Sequence, residues 1–94
     1  MRRSWIERIR DRIRLRQYDM TAHATEEMAE DDLDIADVER AVLTGRVVQI
    51  RRADPRGNKY VLEGTATDGT SLVGVVGRFP RDDRFPIVTV YKAT

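Results

Sequence analysis

The chain has 94 residues, enough for one modest core that hides roughly two-thirds of the surface an unfolded chain exposes. Seventeen Lys and Arg against 16 Asp and Glu leave a net charge of +1, which excludes both the uniformly basic profile of a general nucleic-acid binder and an acidic tail. Without cysteine there are no disulfides, zinc knuckles or thiol nucleophiles, and no window reaches the ~18 apolar residues of a membrane span.

The opening Met1-Arg2-Arg3-Ser4-Trp5 leads into an arginine-interrupted helix rather than an apolar signal core, so a cytoplasmic chain is expected. Ser4-Trp5-Ile6-Glu7 reads as a capping box, and Ile6, Ile9 and Ile13 follow at helical spacing, which predicts a helix over 5–16. Its other face is almost all arginine. Gln17-Tyr18-Asp19-Met20 breaks the period. Thr21 is an N-cap for a second helix through about residue 30, with Ala22, Thr25, Met28 and Ala29 turned inward. Asp34 offers a third start, Ile35, Val38, Ala41 and Val42 repeat at helical spacing, and Gly45 is placed to end that helix in the left-handed conformation.

From Arg46 the period changes to two, with β-branched runs at 46–52, 59–67, 70–78 and 85–92 that read as strands. Asp68-Gly69 predicts a two-residue hairpin turn, because both central positions of such a turn need positive φ. The expectation is one α+β domain over 1–94: two to three N-terminal helices packed on one face of a four-stranded antiparallel meander. In the last strand Ile87, Thr89 and Tyr91 should share one face, and Val88 and Val90 the other.

Charge is segregated along the chain. Residues 1–16 carry seven arginines against Glu7 and Asp11, for +5; residues 17–43 carry nine acids against Arg40, for −8; residues 44–94 carry nine bases against five acids, for +4. The helix-one arginines suit RNA or partner acids, or else a solvated or internally neutralised face. Oxygen ligands in the acidic run suit a divalent cation, but that run lacks the glycine turn and ligand periodicity of a calcium loop, and no metal or other cofactor is expected.

His23 is the one side chain whose unperturbed pKa, ~6.5, lets it exchange protons near neutrality, so acid–base catalysis would use it. On spacing alone a lone histidine near a helix start is more often a solvated or capping residue. Thr89 and Tyr91 offer hydroxyls to a phosphate, or an aromatic ring to a base; high strand propensity is the other account of them. Arg78, Arg51, Arg52, Lys59, Arg81, Arg84 and Lys92 make the sheet half basic, and arginine's planar fork suits phosphate.

Taken together, Tyr18-Asp19-Met20-Thr21-Ala22-His23-Ala24, the helix holding Ile35-Ala36-Asp37-Val38-Glu39, Thr44-Gly45 and the terminal Ile87-Val88-Thr89-Val90-Tyr91 resemble a family of short bacterial domains of unknown function. That family is similar to RelE/ParE-like toxins of toxin–antitoxin modules and to the wider barnase/EndoU/colicin/RelE group of metal-independent ribonucleases. The resemblance covers residues 18–92. It implies cleavage of RNA by attack of its own 2′-hydroxyl on the neighbouring phosphate, with His23 as acid or base and Thr89 and Tyr91 as phosphate-contacting or proton-relaying groups. Arg78 is added as a cation for the transition state from its place near a strand end. Implied partners are RNA or the ribosome and a cognate antitoxin, which in this family is often of zinc-finger type. Glu30-Asp31-Asp32-Leu33-Asp34 stands where many members have arginine and glycine.

Two other readings accompany the ribonuclease. One is a non-catalytic RelE/ParE-like module that binds a protein. The other is a small oligomerising domain in which Trp5, Ile6, Ile9 and Ile13 pack across a two-fold interface; as to assembly, a monomer or homodimer and no membrane association are expected.

Overall fold

A computed structural model of the protein describes residues 4–52, 57–79 and 84–93. Its elements are α1 (Trp5–Arg14), β1 (Tyr18–Met20), α2 (Ala22–Glu30), α3 (Ile35–Thr44), β2 (Arg46–Arg51), β3 (Asn58–Thr65), β4 (Leu72–Phe79) and β5 (Phe85–Lys92). The class is α+β, as expected, but the sheet has five strands in the order β1-β5-β4-β3-β2, and β1 runs parallel to β5. The expected four-stranded antiparallel meander is thus a mixed sheet. The added strand is three residues long, too short to show a period of two, and it lies in the segment that breaks the helical pattern.

All three helices lie on one face. Ile9 and Ile13 of α1, Ala24 and Met28 of α2, and Val38, Ala41 and Val42 of α3 enclose a core with Tyr60, Leu62, Val73, Val75, Phe85, Ile87 and Val90 from the strands. Helix α1 therefore buries Ile9 and Ile13 in its own domain rather than across the two-fold interface considered for them, while Ile6 is partly buried and Trp5 exposed. One of its arginines turns inward: Arg10 donates to the carbonyls of Val42 (3.3 Å) and Gly45 (2.6 Å), capping the negative end of α3, while Arg8 lies 4.5 Å above the ring of the exposed Trp5. Helix α1 ends two residues early, at Arg14, and Arg16 takes the left-handed conformation (φ 55°). Helix α2 buries only Ala24 and Met28, leaving Ala22, Thr25 and Ala29 exposed, and Ile35 of α3 is likewise exposed.

Gly45 is extended (φ −90°), so the left-handed cap expected there is absent. Glycine is needed for close approach instead. A Cβ at Gly45 would strike the carbonyls of Glu63 and Ala41, and one at Gly64 would overlap the Ala41 carbonyl oxygen, so α3 rests on bare β3 backbone. The β3–β4 connection is also wider than two residues: Thr65 pairs with Leu72, Ala66 N–H donates to the Ser71 carbonyl, and of Asp68 and Gly69 only Gly69 has positive φ (76°). Asp68 instead accepts from the Thr70 and Ser71 amides and the Ser71 hydroxyl, and these bonds, led by the Ser71 hydroxyl, hold its pKa down to about 2.

Asp37 fastens α3 to this hairpin. One carboxylate oxygen accepts from the Thr67 amide (2.9 Å) and hydroxyl (2.6 Å), and the other from the Asp34 amide (3.0 Å), closing a capping box with Asp34. The Thr67 hydroxyl, more than any other contact, holds the Asp37 pKa below its ordinary value. Among the described residues no helix is long and apolar enough to cross a membrane.

Two outcomes follow for stability. Gly64→Ala should lower unfolding free energy by about 1–3 kcal/mol in urea titrations, because the atoms it meets are backbone and cannot rotate away. Asp37→Asn should cost about 1–3 kcal/mol at pH 7. Since the folded pKa of Asp37 is below the unfolded value near 3.9, its contribution is present above that value and lost as pH falls through the folded one. The Asn variant should accordingly show a shallower loss of stability below about pH 4 in parallel urea titrations.

Candidate functional site

The face of the sheet away from the helices is organised in three rows by strand register. The first runs Arg46, Glu63, Gly74, Tyr91; the second Gln49, Val61, Val76, Thr89; the third Arg51, Lys59, Arg78. Successive rows are about 7 Å apart, two residues along a strand. Val76 is only 7% exposed yet stands outside the helix-side core, and with Val61 beside it makes the centre of the second row apolar between Gln49 and Thr89.

A register shift between Val76 and Gly77 decides which β5 residues belong here. Gly77 pairs with Ile87 and Val76 with Thr89, so one extra residue, Val88, is accommodated in β5. Ile87 and Val90 both reach the core, three residues apart, while Thr89 and Tyr91 take the other face. The expected grouping of Ile87 with Thr89 and Tyr91 is corrected by that bulge, which plain alternation does not foresee.

The Tyr91 ring lies over Gly74, and its hydroxyl donates to Glu63 at 3.2 Å on the far side. Burial, reinforced by the Glu63 carboxylate, raises the Tyr91 pKa, so the phenol stays protonated at neutral pH. Glu63 was not among the residues singled out from the sequence. Its place on β3, in phase with Lys59 and Val61, was the available signal, but only the Gly74 gap brings a residue two strands away within reach.

Of the cations expected to bind RNA, Arg51, Lys59 and Arg78 stand abreast on three neighbouring strands. Like charges directly opposite across strands repel, and among the described residues no carboxylate pairs with Arg51 or Lys59. The other candidates lie elsewhere. Arg84 grips Asp19 with two hydrogen bonds (2.7 and 2.9 Å) and donates to the Tyr18 carbonyl, tying the start of β5 to β1; this pairing lowers the Asp19 pKa. Lys92 alternates with Tyr91 and belongs to the helix side, Arg52 is exposed just beyond β2, and Arg81 lies outside the described residues.

His23 is on α2, beside the β5 edge rather than on this face. Strand β1 pairs with β5 only as far as Ile87, and α2 takes over from there. Thr21, its N-cap, accepts from the Ala24 amide, donates its own amide to the Ile87 carbonyl and its hydroxyl to that of Val88; Glu27 accepts from the Val90 amide (3.1 Å) and Asp31 from the Lys92 amide (3.1 Å). Four residues of helix rise about 6 Å and two residues of strand about 7 Å, so carboxylates at i and i+4 match alternate amides of an extended edge. His23 extends this row by one turn: its Nε2 is 3.4 Å from Glu27 Oε1, and its side chain is 68% exposed. Tyr18 points to the helix side, donating to Glu39 at 2.7 Å; burial and that carboxylate push its pKa up to about 12.

These features define a small α+β domain with one helix-covered sheet face, one face carrying a cationic row and a tethered tyrosine, and an exposed histidine at the rim. The chain belongs to the family described as Domain of unknown function (DUF4258), whose model matches residues 20–92. No curated protein and no solved structure matches it. Helix α1 lies outside the matched span, although it supplies Ile9 and Ile13 to the core.

The edge contacts of α2 are open to direct measurement. Glu27→Leu should raise the amide exchange rate of Val90 about tenfold or more, with Val75 in the adjacent strand little changed. Equal protection of Val90 in both forms would remove Glu27 from the account of the edge.

Proposed function

We propose that this protein is a toxin-like, metal-independent endoribonuclease that takes RNA onto the helix-free face of its sheet. The observation that carries the reading is the cross-strand pair Arg51 and Lys59, two cations side by side whose mutual repulsion a bound phosphate would relieve, with Arg78 abreast of them on the next strand. Thr89 and Tyr91 lie on the same face, within the last strand that the RelE/ParE-like resemblance singles out. Helices on one side of a largely antiparallel sheet also suit that resemblance.

Cleavage by a neighbouring 2′-hydroxyl requires a base for that hydroxyl, an acid for the departing 5′-oxygen, and cations for the charge on the phosphorus oxygens. In this reading His23, with Glu27 orienting its imidazole, takes the 2′-hydroxyl proton and passes it to the departing 5′-oxygen; Thr89 hydrogen-bonds to the phosphate, Arg78 neutralises the RNA backbone along the same face, and Tyr91, its hydroxyl held by Glu63, lines that face beside Thr89. The acidic residues that would repel RNA are partly spent on the fold: Glu27 and Asp31 hold the β5 edge, and Asp37 holds the β3–β4 hairpin. Cytoplasmic RNA or the ribosome would be the target and an antitoxin the natural inhibitor.

A second reading, a non-catalytic module that binds a protein, draws support from two contacts. His23 is turned to solvent at the rim, and the Tyr91 hydroxyl is already donated to Glu63. Induction of the chain in bacteria, followed by growth and RNA integrity, separates the two. Growth arrest with fragmented RNA is expected from the wild type. His23→Ala should slow cleavage by about 10²–10⁴-fold, the usual worth of a general acid or base, and Arg78→Ala should weaken it without changing the fold. If folded, soluble wild type leaves RNA intact, catalysis is excluded and the second reading stands.

A further inference from the structure

We infer that the ring of Tyr91 is a stacking platform for an unpaired nucleobase, so that the preferred ligand of this face is single-stranded RNA. The inference rests on the RNA-binding reading above and adds the form of RNA and the residue that reads it. It starts from Gly74. A Cβ built there would meet Cζ, Cε1 and Cε2 of Tyr91 at nearly equal distances. A point approaching the hydroxyl end of the ring edge-on would lie much nearer Cζ than either Cε, so the ring covers Gly74 with its flat side. One π-face is therefore laid on the sheet, and the half-buried ring directs the other outward.

The hydroxyl bond to Glu63 holds this arrangement. It spans β5 to β3 across the glycine, so turning the ring upright would break it. A tyrosine fixed in this way loses little further freedom when a planar ligand settles on it. Stacking on an aromatic side chain tolerates any base but needs that base out of a duplex, whose bases are already stacked. The rest of the face fits an extended strand. Thr89 and Val76 form the row next to Tyr91, and the cations Lys59 and Arg78 lie two rows away, about 13 Å along the strands, placed for phosphates further along the same chain.

The test uses the full chain and a short single-stranded oligoribonucleotide carrying 2-aminopurine, whose fluorescence is quenched when it stacks, with the same sequence in a duplex as comparison. Quenching on binding, preference for the single strand, and a loss of affinity on the order of tenfold in Tyr91→Leu are expected. The conservative Tyr91→Phe, which keeps the ring, should retain most of the affinity. The salt dependence of binding should be unchanged in Tyr91→Leu and reduced by about one ion in Arg78→Ala, because only the arginine neutralises phosphate. Binding without quenching, or equal binding by Tyr91→Leu, overturns the stacking inference while leaving RNA binding in place. Absence of binding to either form by the wild type overturns both. The quenching needs no variant, so the result does not depend on Tyr91→Leu folding.

Discussion

Strand β5 has to be satisfied along both edges, and the way its outer edge is shared organises most of this protein. A strand of eight residues inside the sheet needs partners for alternate amides on each side, yet β1 supplies only three residues of pairing. The remainder is met by side chains from α2, with Thr21, Glu27 and Asp31 standing in for a sixth strand. This fixes α2 lengthwise against β5 and leaves only Ala24 and Met28 to reach the core. It also closes an edge that would otherwise present unpaired backbone to other chains, with acidic groups that resist strand addition.

That arrangement reinterprets the charge segregation. The central segment is strongly acidic, and read as a surface it argues against RNA. Read through its contacts, much of it is internal machinery: Glu27 and Asp31 on β5, Asp34 and Asp37 on the α3 start, Glu39 on Tyr18, Asp19 on Arg84. Of the α1 arginines, Arg10 is likewise spent inside the fold, on the α3 carbonyls. Among the described residues, Arg51 and Lys59 face each other across β2 and β3 with no carboxylate paired to either, next to Arg78. Net charge of +1 therefore understates how one-sided the helix-free face is.

How far the sequence reveals this depends on whether each feature is local. Helical and strand periods, the Thr21 and Asp34 caps and the helix-then-sheet order are local, and they are legible. Strand β1 is not, because three residues carry no period and its pairing partner is some 67 residues away. The bulge in β5 leaves no mark in the alternation of Ile87 to Tyr91, so faces assigned by period alone misplace Ile87. Gly45, Gly64 and Gly74 look like turn or flexibility residues in the sequence; in the fold each clears space for a carbonyl or a ring from a distant segment. Glu63 escaped notice for the same reason, since its partner Tyr91 is reached only across a glycine on the strand between them.

The candidate site is therefore divided between two places that share β5. Tyr91 and Thr89 project from its helix-free side, and His23 stands beyond its edge, linked to the strand through Glu27, which accepts from the Val90 amide and faces the imidazole with the same oxygen. Thr89 contributes the carbonyl half of the peptide whose amide Glu27 holds. A nucleic-acid strand laid over Tyr91 and Thr89 could meet His23 only by passing over the β5 edge beyond the end of β1, where the covering is a row of side chains rather than a further strand. The short length of β1 is thus what leaves that crossing open: three more residues of parallel pairing would displace α2 and separate the histidine from the face where the cations and the tyrosine lie.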